Sequence, residues 1–174
     1  MSAAPGLEDA SFEAFHACTS GPLWGYLRRI AGDPALADDA LQESYLRYLT
    51  HPPLPASGER ERRAYLFRIA TNLVRDRWRS EQRERLGLAR LLLGQEGRWT
   101  QGPEAGSADD PTGLDLGAAF ARLRPRDRAV LWLACVEGYE HREIAKILNL
   151  REASIRVLLF RARKKMMQDL ELKR

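Results

Sequence analysis

Along most of this chain apolar residues recur at intervals of three and four and hardly ever alternate strictly, a pattern that predicts helices and no convincing strand. A first helical block spans about Ser11 to Thr19. Gly21-Pro22 interrupts it, and Leu23, Leu27 and Ile30 continue an apolar face to Ala31, where Gly32 stops the helix. Asp33-Pro34 reads as an N-cap followed by proline at the first helical position, opening a helix that runs to about Leu49. Beyond the loop of Pro52, Pro53 and Pro55, the longest helix runs from about Glu59 to Leu86, with Leu66, Ile69, Ala70 and Leu73 inward. After Leu93 the character changes: Gly94, Gly97, Gly102, Pro103, Gly106, Pro111 and Gly113 crowd a polar stretch that cannot pack a core. Apolar periodicity resumes at Leu116, Phe120 and Leu123, and Pro125 opens a helix that Gly138 closes. The expected fold class is all-α, two small helical domains joined by a flexible linker, with boundaries at 1–90, 91–113 and 114–174.

The most specific local signal lies in the last domain, where Glu143 to Lys165 reads EIAKILNLREASIRVLLFRARKK with helix-turn-helix spacing. Ala145 is small where two helices must cross closely, and Ile144, Leu148, Leu150 and Ile155 are apolar at the packing positions. Asn149 stands at the turn, where a residue tolerant of positive φ is needed. The second helix is thereby placed to enter a major groove with its N-terminal half, presenting Ser154, Arg156, Phe160 and Arg161 to the bases. Arg163, Lys164 and Lys165 would reach phosphates. A helical hairpin with a merely solvated basic face has the same spacing; groove-facing cations coinciding with the correct core pattern favour DNA.

Charge sharpens this picture. Its sum is only +4, yet Arg60 to Arg85 and Arg151 to Arg174 each carry +5 and the remainder carries −6. Two basic segments on an acidic background suggest two surfaces facing a polyanion, nucleic acid rather than membrane. At 44% hydrophobic and 30% charged, the 174 residues are too apolar for wholesale disorder and too charged for a membrane protein. No apolar run approaches the roughly 18 residues of a spanning helix, and the first residues carry acids where a signal peptide carries basic ones, so the expected location is the cytoplasm.

On the long helix Arg68, Asn72, Arg75, Asp76 and Arg79 form a polar stripe read as opposite the apolar face, flanked by Tyr65, Phe67 and Trp78. Such a stripe fits a surface that stacks unpaired bases while arginine holds phosphates; equally, Phe67 and Trp78 fit as core. The preceding helix sets Asp39, Gln42, Glu43 and Leu46 on one face, a solvated or protein-docking surface. Catalysis is not expected, because Asp39 and Glu43 have no His or Cys close in sequence and His16, His51 and His141 are scattered. Cys18 and Cys135 lack metal-ligand spacing and sit in apolar stretches, so buried packing is expected, with no metal and no cofactor.

Taken in order, these residues resemble the bacterial RNA polymerase sigma factors of the extracytoplasmic-function (ECF) group of the sigma-70 family. YLRRIAGDPALADDALQESYLRYL (Tyr26 to Leu49) is similar to the core-binding helices of that family, and AYLFRIATNLVRDRWR (Ala64 to Arg79) to its promoter-melting helix. Leu123 to Met166 resembles its C-terminal DNA-binding domain. The resemblance implies a subunit that binds core RNA polymerase and directs promoter recognition, melting and initiation. It implies that Asp39, Gln42, Glu43 and Leu46 dock on the polymerase clamp. Tyr65, Asn72, Arg75, Asp76 and Arg79 would act at the minus-ten element, Asn72 beside a flipped base of the melted non-template strand, with the loop Pro52 to Arg62 forming its pocket. Ser154, Arg156, Phe160, Arg161, Arg163 and Lys164 would contact the minus-thirty-five element in duplex DNA. An anti-sigma factor is implied as a further partner. Tyr65 stands where the family usually has Trp, Val157 where it commonly has Ser, Leu158 where a basic residue is common, and Arg151 where Ser or Thr is usual near the recognition-helix cap. The alternative is a free-standing helix-turn-helix repressor or activator, which needs no polymerase-docking face.

Overall fold

The computed structural model describes residues 5–54, 56–86 and 114–171, and their regular structure is entirely helical. Three helices form a first unit, α1 (Pro5–Ala31), α2 (Pro34–Thr50) and α3 (Glu59–Leu86), and four form a second, α4 (Leu114–Ala121), α5 (Pro125–Cys135), α6 (His141–Leu148) and α7 (Glu152–Glu171). The expected tether, 91–113, lies outside the described residues.

α1 is continuous, which corrects the expected break at Gly21-Pro22. Pro22 lies inside the helix and cannot donate to the carbonyl of Cys18, a defect costing about 3 kcal/mol. Just beyond it Leu23, Tyr26, Leu27 and Ile30 are all fully buried. Each such burial stabilises by about 2 kcal/mol, so packing outweighs the proline. The start of α2 follows the sequence reading: the Asp33 carboxylate accepts from the backbone N–H of Ala35 at 3.0 Å, and Pro34 occupies the first turn.

α3 packs on α1 and α2 through Leu66, Phe67, Ala70, Thr71, Val74 and Trp78, all buried. Ile69 and Leu73, expected inward, are only partly buried at the edge of this core. The Tyr26 and Thr71 hydroxyls share a hydrogen bond at 2.7 Å, as do those of Thr19 and Tyr45, so these four enclosed hydroxyls are satisfied. In the second unit α4, α5 and α6 pack on α7. Arg128 is fully buried there; its Nη1 donates to the Ala121 carbonyl at 3.1 Å, and burial lowers its pKa to about 10.

The two units dock on one another, α1 against α5 and α3 against α6, which the reading of two domains on a tether did not anticipate. Arg29 lies over the Trp132 ring at 4.6 Å, and Phe67 meets Tyr139 edge to face at 6.1 Å. Neither cysteine is buried, contrary to expectation. Cys18 precedes the inward Thr19 on the outer side of α1, and Cys135 ends α5 beyond its last core residue, Leu133.

Candidate functional site

Three exposed surfaces and one charged seam carry the candidate chemistry. On α2, Asp39, Gln42 and Leu46 are exposed, with Leu46 at 59%, and Glu43 is half-exposed, accepting from Arg47 Nε at 2.7 Å. Asp33, Leu36, Asp39, Ala40, Glu43, Leu73 and Arg77 line a shallow cleft between α2 and α3. Leu49, at the end of α2, and Leu54, in the loop after it, are also exposed and were not singled out in the sequence. An acidic rim with apolar residues in reach suits a protein partner better than a solvated surface.

The α3 stripe is only partly a surface. Arg68 and Asp76 are exposed, and Asn72 and Arg79 are half-buried. Arg75 is buried at 8%, which corrects its place in the exposed stripe. Its Nη2 donates to Asn72 Oδ1 at 2.8 Å, and burial, reinforced by Arg79, pulls its pKa down. The pairing engages the Asn72 carbonyl oxygen, so Arg75 positions the Asn72 side chain. Phe67 and Trp78 are core, resolving the two readings left open for them. Tyr65 donates its hydroxyl to the His51 carbonyl at 2.8 Å, tying α3 to the loop after α2, and Arg68 covers its ring at 5.0 Å. Asp76 and Arg79 form an ion pair at 3.8 Å.

In the second unit the helix-turn-helix is built by local chemistry. Glu140 and Glu143 form a reciprocal capping box at the start of α6, and Asn149 adopts φ 51° and ψ 54° at its end. Leu150 N then donates to the Ala145 carbonyl at 2.9 Å, turning the chain into α7. Ile155, Leu158, Leu159 and Ala162 face the core. Arg156, Phe160, Arg161, Arg163 and Lys164 are exposed, Phe160 at 68%, and Ser154 is half-buried. Arg163 also reaches Cys135 Sγ at 3.8 Å, and Lys165 donates to the Arg122 carbonyl at 3.0 Å, which places both beside the hairpin's own frame. Leu158, where the family commonly has a basic residue, is buried at 5% on the inward side of α7. Val157, exposed at 46%, lies one turn before Phe160 on α7. Near the α7 cap, the Arg151 carbonyl accepts from Ser154 N at 2.9 Å.

The seam joins α3 to the turn between α5 and α6 and to the first turn of α6. Arg60 donates from Nε and Nη2 to the two carboxylate oxygens of Glu143, at 2.6 and 2.7 Å, and from Nη2 to the Gly138 carbonyl at 2.8 Å. Arg63 pairs with Glu137, whose side chain is 2% exposed and also accepts from Trp132 Nε1 at 3.1 Å. The Arg60 hydrogen bond holds the Glu143 carboxyl below its ordinary value, and burial pushes the Tyr139 hydroxyl up to about 12. Among the described residues no cluster of three metal-ligating side chains exists, and no helix is long and apolar enough to cross a membrane.

Comparison with known proteins follows the same division of the chain. The family model for sigma-70 region 2 matches residues 17–84, and that for sigma-70 region 4 matches 114–166. The ECF RNA polymerase sigma factor SigL of Mycobacterium tuberculosis is 29% identical over 160 residues, covering 90% of this chain and 86% of SigL. BldN of Streptomyces coelicolor, also an ECF RNA polymerase sigma factor, is 27% identical over 143 residues, covering 82% of this chain and 54% of BldN. Among solved structures, the sigma factor RpoE of Bartonella quintana, crystallised with the anti-sigma factor NepR, shares the fold with a TM-score of 0.70 at 19% identity, covering 94% of this chain and 99% of RpoE.

Proposed function

The chain belongs to the ECF group of the sigma-70 family of RNA polymerase sigma factors, and from that membership we propose how its surfaces divide the work of initiation. As a sigma factor it binds core RNA polymerase and directs promoter-specific transcription initiation. The observation that carries the division is the match of regions 2 and 4 to the two helical units, one bearing the acidic and apolar α2 face and the other the helix-turn-helix. Asp39, Gln42, Glu43 and Leu46 dock on core polymerase, joined by Leu49. Asn72, oriented by Arg75, donates to a flipped base of the melted non-template strand, while Tyr65 and the loop it ties down form the wall of that base's site and Asp76 and Arg79 lie at the next turn. Holding an extruded base lowers the free energy of the open strand, so melting needs no nucleotide hydrolysis. Ser154, Arg156, Phe160 and Arg161 read the upstream duplex, and Arg163 and Lys164 hold its backbone. Domain boundaries at 1–90, 91–113 and 114–174 accompany this division, and tethering raises the effective concentration of each unit at its own element.

The protein acts in the cytoplasm, as a regulatory subunit and not an enzyme, and an anti-sigma factor of the kind seen with RpoE is its antagonist. A free-standing repressor or activator is not favoured, because region 2 has no role in one. Run-off transcription with core polymerase and a pool of templates with random upstream sequence tests the reading: start sites that depend on the protein and share two spaced elements are expected. Asp39→Lys with Glu43→Lys is expected to abolish co-elution with core polymerase while leaving the helical circular dichroism intact, and unchanged co-elution would sink the docking assignment.

A further inference from the structure

α7 turns one strip of side chains away from its core. Ile155, Leu158, Leu159 and Ala162 are buried. With about 3.6 residues per turn, the side of the helix opposite them runs through positions 153, 157, 160 and 164. Ala153, Val157, Phe160 and Lys164 stand there, all exposed, Val157 at 46% and Phe160 at 68%. The N-terminal half of the strip is therefore apolar. Arg156 and Arg161, both exposed, flank it on either side, and Arg163 and Lys164 carry the positive charge on along the helix. Cations in that arrangement favour a polyanion over an apolar protein surface, and in a helix lying in the major groove the strip opposite the core faces the base edges.

Base edges in that groove are polar with one exception. Guanine, adenine and cytosine present only donors and acceptors, whereas thymine adds a methyl group beside its acceptor. Valine neither donates nor accepts. Against a guanine or cytosine edge it displaces water from polar groups and leaves them unpaired, which is unfavourable. Against a thymine methyl it removes apolar surface from water on both partners, which is favourable. Serine, which both donates and accepts, tolerates any pair. We propose that Val157 reads the 5-methyl group of a thymine in the minus-thirty-five element and so sets a base preference that serine at this position does not impose. The proposal rests on the sigma-factor reading above and goes beyond it by naming the base and the atom recognised. Phe160, one turn on, extends the apolar surface along the groove.

The test uses the full chain with core polymerase. Run-off transcription from the template pool with random upstream sequence, followed by sequencing of the transcribed templates, gives the upstream element of the unaltered chain and of Val157→Ser. Position 157 is exposed, so the substitution is expected to leave the helical circular dichroism and the unfolding midpoint in place. The unaltered chain is expected to enrich thymine at one upstream position, Val157→Ser to lose that enrichment, and the other positions to keep theirs. Uracil in place of that thymine then removes the methyl group and no hydrogen-bonding group. Binding of the holoenzyme to the substituted duplex, read by competition against the thymine duplex, is expected to weaken about fourfold, the value for burying one methyl group. With Val157→Ser the two duplexes are expected to bind alike. Three results overturn the proposal: no upstream thymine whose methyl matters, a uracil effect as large in Val157→Ser as in the unaltered chain, or the same element selected by both. The third, with transcript yield lowered on every template, assigns the strip to a protein partner instead. Failure of the sigma-factor reading shows separately, as absence of protein-dependent start sites with either chain, and removes the proposal with it.

Discussion

Asn149 is the one non-glycine residue with positive φ among the described residues, and the angle between α6 and α7 depends on it. Alanine there pays the left-handed penalty of about 1 to 2 kcal/mol. Asn149→Ala is therefore expected to lower the urea midpoint accordingly, while Asn149→Gly stays close to the unaltered chain. Arg156 is exposed on the outward side of α7, and Arg156→Ala is expected to weaken promoter binding by about 1 to 3 kcal/mol if the side chain reads a base edge. Competition against scrambled upstream sequence checks this, since an equal loss on every sequence would make it a phosphate contact. Arg75 shows where residue-scale reading stops. It falls at the same spacing as Arg68 and Asn72, and only the packing of α3 turns it inward to hold Asn72.

Helices were legible where their ends are made by neighbours in sequence. The Asp33 cap and the Asn149 turn each use side chains within a few residues, and their signals survive without tertiary context. Pro22 misled for the complementary reason: the cost of a proline is local, but the burial that overrides it comes from α2, α3 and the second unit. Removing that cost is expected to help. Pro22→Ala should raise the stability of the first unit by up to about 3 kcal/mol, read as a higher unfolding midpoint with α1 still continuous. Equal or lower stability would mean that Pro22, half-buried, contributes packing that alanine cannot replace.

For the whole molecule the seam is the element that changes with conditions. The Arg60 hydrogen bond holds the Glu143 carboxyl below its ordinary 4.5. A depressed carboxylate contributes to the docked state above that value, and the contribution is lost as pH falls through the lower, docked pKa. Facing Glu143 are Arg60 from α3, Tyr139 from the turn, and Glu140 and Lys146 from its own unit. The distance between spin labels on exposed Cys18 and Cys135 is expected to hold steady from neutral pH to about 5 and to lengthen below 4.5. In Glu143→Gln the step attributable to this carboxyl should vanish.

The sequence by itself determined the all-helical class, the number and order of most helices, and the hairpin of α6 and α7. All of these follow from periodicity, caps and composition, which act over a few residues. Only the tertiary structure decided that Arg75 and Trp78 turn inward, that Cys18 and Cys135 turn outward, that Leu158 is core and Val157 is surface, and that α3 docks on α6. Those outcomes depend on which faces meet across the chain. The ion pairs of the seam join residues more than seventy positions apart, a separation at which no local pattern links Arg60 to Glu143 or Arg63 to Glu137.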